Sequence, residues 1–143
     1  MSDAQTAIGK WGSGTAKTVP CASVAPQTEV DQAAQRPSSL YVSGSEVLPG
    51  KSDCRYDDSG LALVVEVTVW TGLQSAETES AFQGWRRGTS PVPGLGDWAC
   101  SLGSSQLIAR EKGLVVSIHQ DDTAPLSSAV TLARSVLSAT ESA

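Results

Sequence analysis

The feature that most constrains the fold of this chain is an alternating segment at residues 61–70, LALVVEVTVW. Its odd-numbered residues are all Leu or Val, whereas its even-numbered residues include Glu66, Thr68 and Trp70. Successive side chains of a β-strand point to opposite faces of a sheet, so one face is uniformly apolar and the other is mixed. The pattern predicts a strand with one face against a core and the other face half-solvated.

The C-terminal region predicts an amphipathic helix that can cover such a sheet. Pro125 suits the first helical turn, because the N–H that proline lacks is not needed there. Apolar residues then recur at helical spacing and form one continuous stripe. The stripe consists of Leu126, Ala129, Val130, Ala133, Val136 and Leu137.

Shorter segments complete the predicted architecture. Residues 26–36 and 75–86 have helical patterns, and residues 105–110 and 114–119 predict a hairpin. Strands joined by hairpins imply a mostly antiparallel sheet, so we predict an α+β fold in which helices pack on that sheet as a two-layer sandwich. With 143 residues the chain is the size of one domain. We expect a flexible tail or linker over residues 1–20 and a single domain over residues 21–143.

Composition excludes several classes of function. The net charge of −5 argues against a nucleic-acid binder, which normally carries a basic face. No apolar run approaches the length of a membrane span. One His and three Cys leave little material for a metal site, and no motif indicates a cofactor. The start of the chain lacks the basic and apolar regions of a signal peptide, so we expect either a cytosolic protein or one whose leader has been removed.

The three cysteines allow two interpretations. Cys21 and Cys54 flank the first predicted helix, and a disulfide between them would leave Cys100 as a candidate free thiol. A small domain with such a disulfide would belong outside the cytosol. The alternative is three unpaired cysteines buried as small apolar residues.

Three residues are candidates for a binding face. Trp70 and Glu66 lie on the mixed face of the predicted strand, and Trp98 lies in a loop rich in glycine and proline. They could line a groove for a ligand, although a Trp in a small domain also packs in or beside a core. Cys100 with His119 could form a thiol nucleophile and base, but the spacing does not require the two to meet, and His119 also fits a surface position.

Acidic and glycine-rich turns give weaker signals. Asp57-Asp58 and Asp121-Asp122 could bind calcium, but neither resembles a calcium-binding loop, and aspartate is favoured in turns. The glycines of residues 93–97, PGLGD, fit a turn with positive φ better than a nucleotide-binding loop.

Several short motifs in order resemble a family of actinobacterial secreted lipoproteins of unknown function. The matching motifs are Cys21-Ala-Ser-Val, Cys54-Arg-Tyr56 and Gly94-Leu-Gly-Asp-Trp-Ala99, followed by a valine-rich strand and an Ala/Leu helix. The resemblance covers roughly residues 20–140. It implies a cell-envelope location, a binding or sensing role and a disulfide between Cys21 and Cys54, and it supplies no catalytic residues.

From these observations we expect a non-enzymatic, extracytoplasmic domain that binds a small molecule or an envelope protein, as a monomer or weak dimer. One alternative is a small, cyclase-like biosynthetic enzyme with a Trp-lined pocket, which would fit a cytoplasmic location. A further alternative is a protein inhibitor or immunity-type protein that acts through its loops.

Overall fold

The computed structural model describes residues 18–48, 50–71, 90–111 and 114–142. In this part of the chain, eight strands form one antiparallel sheet in the order β1-β3-β4-β8-β7-β6-β5, and β2 also pairs with β3. The strands are β1 (Ser39–Leu40), β2 (Glu46–Leu48), β3 (Lys51–Asp57), β4 (Leu63–Trp70), β5 (Ser90–Pro91), β6 (Trp98–Leu102), β7 (Gln106–Glu111) and β8 (Leu114–Gln120). A 3-10 turn spans Val42–Gly44.

Helices pack on one face of this sheet, which confirms the predicted α+β class. They are α1 (Cys21–Val24), α2 (Gln27–Ala34) and α3 (Leu126–Ser142). Helix α3 lies on β7 and β8, and α1 and α2 pack against α3. Helix α2 ends at Ala34, and the next residue, Gln35, adopts the left-handed backbone conformation that commonly terminates helices.

The core lies between α3 and the central strands. Val65 and Val67 of β4 face it, and so does Ile118 of β8. Most of the predicted stripe of α3 is buried, and Leu126 and Val130 pack partly against the core. The strand and helix periodicities therefore predicted the main interface correctly.

The prediction was wrong at the start of β4. Leu61 was assigned to the core face but is 68% exposed, because its backbone has φ +63° in the turn before the strand. The pairing register then shifts opposite Tyr56 and Asp57, so Val64 and Val65 are both buried, although alternation placed Val64 on the mixed face. A β-bulge of this kind reverses the sheet face to which the preceding side chains of the strand point.

A disulfide joins Cys21 of α1 to Cys54 of β3, as predicted. Both cysteines are buried in the core, and a buried Tyr56 hydroxyl donates a hydrogen bond to the Ala25 carbonyl beside them. Burial raises the pKa of Tyr56 to about 12. The disulfide thus fixes the short N-terminal helix on the sheet.

The helix predicted over residues 75–86 lies outside the described residues, as does most of the predicted N-terminal tail. Within the described residues, no helix combines the length and the apolar character that a bilayer crossing requires.

Candidate functional site

The sheet face opposite α1–α3 carries the candidate residues. Directly paired residues of adjacent strands share a face, so the pairing register shows which side chains are neighbours. One row of paired residues crosses the sheet. In strand order its members are Arg55 on β3, Glu66 on β4, His119 on β8 and Gln106 on β7. This row thus joins four strands around Glu66.

A groove of about 270 Å³ lies on this face. Strands β3 and β4 line it with Lys51, Asp53, Glu66, Thr68 and Trp70. Strands β7 and β8 line it with Gln106, Ser117 and His119. We call this cavity the Glu66 groove. Its volume lies just below the range of about 300–1,000 Å³ usual for small-molecule sites, so it suits a small ligand.

Two carboxyl groups meet inside the Glu66 groove. The Asp53 carboxyl group lies close enough to Glu66 to raise its pKa, and the Thr68 hydroxyl donates a hydrogen bond of 3.1 Å to Asp53 Oδ1. Asp53 lies directly opposite Thr68 on the neighbouring strand, so the pairing of β3 with β4 holds the three groups together.

Burial raises the pKa of Glu66 from its ordinary 4.5 to about 7. The neighbouring Asp53 carboxyl group acts in the same direction, because two adjacent carboxylates repel each other. The positive charges of Arg55 and Lys51 lower the pKa without cancelling these effects. Near neutral pH the carboxyl pair can therefore hold a proton, or lose it to solvent when a ligand cation binds beside it.

Trp70 closes one end of the groove. It is 7% exposed, so it offers an apolar wall rather than a freely accessible ring. Thr68 and Ser117 contribute hydroxyl groups to the floor, and Gln106 contributes an amide. The groove can thus accept hydrogen bonds at its carboxyl pair and donate them from its hydroxyl and amide groups.

Trp98 lies on the same face and in the same cross-strand row as Trp70. The row passes from Trp70 through Val115 and Arg110 to Trp98, which is a distance of three strand spacings, or roughly 14 Å. Trp98 is half-buried and does not line the Glu66 groove. The groove therefore contains two of the three predicted binding residues.

Cys100 and His119 are not brought together. Cys100 pairs with Ile108 and thereby aligns with Ser117, two residues before His119 on β8. Two strand spacings and two residues along the strand separate their Cα atoms by roughly 12 Å. A hydrogen-bonded thiol–imidazole pair is therefore not formed. Cys100 itself is buried and lies outside the disulfide.

Sequence reasoning missed several lining residues, because it did not use the alternation of β3 and did not assign the polar face of β8 to a binding site. Lys51, Asp53 and Arg55 share one face of β3, just as Ser117 and His119 share one face of β8. Alternate residues form a polar face on each of these two strands, but only the strand order reveals that the two faces adjoin.

The acidic turns have the roles expected of turn residues. Asp58 Oδ1 accepts hydrogen bonds from the Gly60 and Ala62 N–H groups. Asp121 accepts hydrogen bonds from Thr123, which is the main reason that its pKa is lowered. Among the residues that the structure describes, no three His, Cys, Asp or Glu side chains form a group that could hold a metal ion.

The glycine-rich segment after β5 is also a turn. Gly94 and Gly96 have φ of +78° and +59°, and Leu95 between them is buried in the core. A Cβ at Gly96 would lie 2.5 Å from the Arg110 carbonyl oxygen, so this turn requires glycine.

Comparisons of the chain with protein-family models, with curated proteins and with solved structures find no match.

Proposed function

We propose that this chain is an extracytoplasmic, non-enzymatic binding or sensing domain of a cell-envelope protein, and that it binds a small polar ligand in the Glu66 groove. A disulfide is favoured in oxidising compartments and is rare in the cytosol, and the bond between Cys21 and Cys54 supports a location outside it. The resemblance to secreted actinobacterial lipoproteins points the same way.

The observation that carries the binding role is the carboxyl pair of Asp53 and Glu66 inside a cavity. Half-buried acids in contact destabilise each other when both are ionised, and a ligand that donates hydrogen bonds or brings a positive charge relieves this repulsion. Lys51 is the basic residue that lines the groove beside them. We expect a ligand of a few heavy atoms with an N–H or O–H donor.

The groove is tested by a thermal-shift screen of small amines, amino acids and sugars against the full chain. The variant Glu66→Gln removes the ionisable group but keeps the side-chain shape. Glu29→Gln, at an exposed position on α2, is the matched control because it makes the same chemical change in the helical layer. Compounds that bind the groove should stabilise the wild type and the control but lose their effect in Glu66→Gln. Equal stabilisation of all three proteins would contradict the proposal.

A second candidate, a small enzyme, is favoured by one observation. A carboxyl group with a pKa of about 7 is suited to general acid–base catalysis at neutral pH, and Glu66 has such a pKa. The two functions differ in the fate of the ligand. Mass spectrometry of each stabilising compound after prolonged incubation should recover it unchanged if the protein only binds. Conversion that disappears in Glu66→Gln would instead identify an enzyme.

A further inference from the structure

The charged side chains that line the Glu66 groove are accessible to a ligand and are not paired with one another. Lys51 is exposed, and Asp53 and Glu66 are half-buried. Within the described residues, no oppositely charged side-chain atom lies within 4 Å of any of the three. Arg55, a neighbouring cation, is already paired with Asp57 at 2.8 Å and does not line the groove. The groove therefore offers a ligand one ammonium group and two carboxyl groups.

These groups are separated along the groove according to charge. Lys51 and Asp53 share one face of β3 and are two residues apart, so their Cα atoms lie roughly 7 Å from each other. Lys51 pairs with Trp70, whereas Glu66 lies on the other side of Asp53 along the strand direction. His119 is opposite Glu66 and adds no positive charge beside Lys51. The groove thus runs from a basic end beside Trp70 to an acidic end at Glu66.

We infer that the ligand of the Glu66 groove is a small zwitterionic amino acid, whose ammonium group binds Asp53 and Glu66 and whose carboxylate binds Lys51. This inference rests on the proposed binding function and specifies the class of ligand. The ligand ammonium donates hydrogen bonds to the carboxyl pair, and the ligand carboxylate accepts a hydrogen bond from Lys51 Nζ, so that each charged end meets the opposite charge.

The volume and charges of the groove argue against other small cations. About 270 Å³ gives room for only a few heavy atoms. A simple amine would leave Lys51 without a partner, and a diamine would place a second positive charge near the Lys51 ammonium group. Repulsion of this kind discriminates between ligands that share one favourable contact. Selectivity for an amino acid over an amine therefore depends on Lys51.

Four probes separate the two contacts. Free alanine and β-alanine carry both charged groups at different separations, ethylammonium lacks the carboxylate, and propanoate lacks the ammonium group. Each is titrated at neutral pH into the isotope-labelled full chain, and the backbone amide resonances of Asp53, Thr68 and Ser117 are followed. At least one of the amino acids should bind about five-fold more tightly than ethylammonium, the factor that an ion pair of about 1 kcal/mol gives. Propanoate should cause no saturable shift, because the carboxyl pair repels it.

Variants of Lys51 test the assigned orientation of the ligand. Lys51→Gln should bind the amino acids no more tightly than ethylammonium, whereas Lys51→Arg should keep the preference because it retains the positive charge. The position is exposed, so both variants should fold. Arg134→Gln is the matched control, because it removes the same charge from an exposed position on α3, in the helical layer. This control should keep the preference for the amino acids.

The outcomes distinguish this inference from the proposed function. A preference for an amino acid that Lys51→Gln removes supports the inference. Ethylammonium binding as tight as that of both amino acids, or a preference that survives in Lys51→Gln, overturns it and leaves the groove as a binding site. The absence of saturable shifts with all four probes also overturns it. The proposed function fails as well only if no compound of the thermal-shift screen loses its effect in Glu66→Gln.

Discussion

Replacing Glu66 by Gln should stabilise the protein at neutral and alkaline pH, although the change removes a charged residue from a proposed binding site. In the unfolded chain Glu66 ionises near its ordinary pKa of 4.5, whereas in the folded protein burial and Asp53 raise that pKa to about 7. Between these two pH values the folded state retains a proton that the unfolded state has lost. The contribution of Glu66 to the free energy of unfolding therefore falls as the pH rises through this window, and it is constant at higher pH.

The size of the effect follows from the pKa of Glu66 and from its exposure. One pKa unit corresponds to about 1.4 kcal/mol. Glu66 is only partly buried, and solvent screening of its interactions reduces the total to about 1–2 kcal/mol. The glutamine side chain of the variant would mimic the protonated acid, because its amide can donate a hydrogen bond to the Asp53 carboxylate. The variant should match the wild type near pH 4.5 and exceed it by about 1–2 kcal/mol at pH 8.

The assay is urea unfolding of the wild type and Glu66→Gln at a series of pH values between about 4 and 8, which spans both pKa values. The difference in the free energy of unfolding reports on Glu66 together with its neighbour Asp53, because titrating groups that do not interact with Glu66 contribute equally to both proteins. Glu29→Gln is the control, and its difference from the wild type should stay within about 0.5 kcal/mol at all pH values. A Glu66→Gln difference that is constant with pH, or that favours the wild type at the alkaline end, would refute the reasoning.

Two further predictions concern the framework around the site. Replacing both Cys21 and Cys54 by Ala removes a cross-link between residues that are 33 positions apart. In urea titrations the free energy of unfolding should fall by about 3.7 kcal/mol. A loss below about 1 kcal/mol would mean that the disulfide contributes little. Gly96→Ala should destabilise the protein by about 2–4 kcal/mol in thermal unfolding, because its Cβ would collide with the Arg110 carbonyl. Gly103 also has positive φ, but no atom lies within 4 Å of a Cβ added there. Gly103→Ala should therefore lower the free energy of unfolding by only about 1 kcal/mol. Equal losses at both positions would show that the collision at Gly96 is absent.

Local patterns in the sequence were sufficient for the main elements, whereas the three cysteines left the disulfide as one of two interpretations. The alternation that ends at Trp70 and the helical stripe from Leu126 to Leu137 each encode one buried face, since a strand and a helix repeat with different periods. The same reasoning gave the wrong faces for residues at the start of β4. A left-handed turn at Leu61 and a bulge opposite Tyr56 change the face that each side chain takes, and neither has a period.

The Glu66 groove depended on long-range strand pairing. Sequence alternation placed Glu66 and Trp70 on one face, but it carried no information about which strands flank β4. Tertiary structure decided that β8 pairs with β4 although the two strands are far apart in the chain, which brings His119 beside Glu66 and aligns Asp53 with Thr68 on the other side. It also placed Trp98 three strands away.

What the sequence determined by itself was therefore the type of each main element and the face that it buries, because these follow from backbone geometry that is the same in every protein. Only the tertiary structure decided which polar faces adjoin, and hence that Glu66 meets Asp53 and has a raised pKa. The physical reason is that register and strand order minimise the free energy of the whole sheet, so they depend on every strand at once.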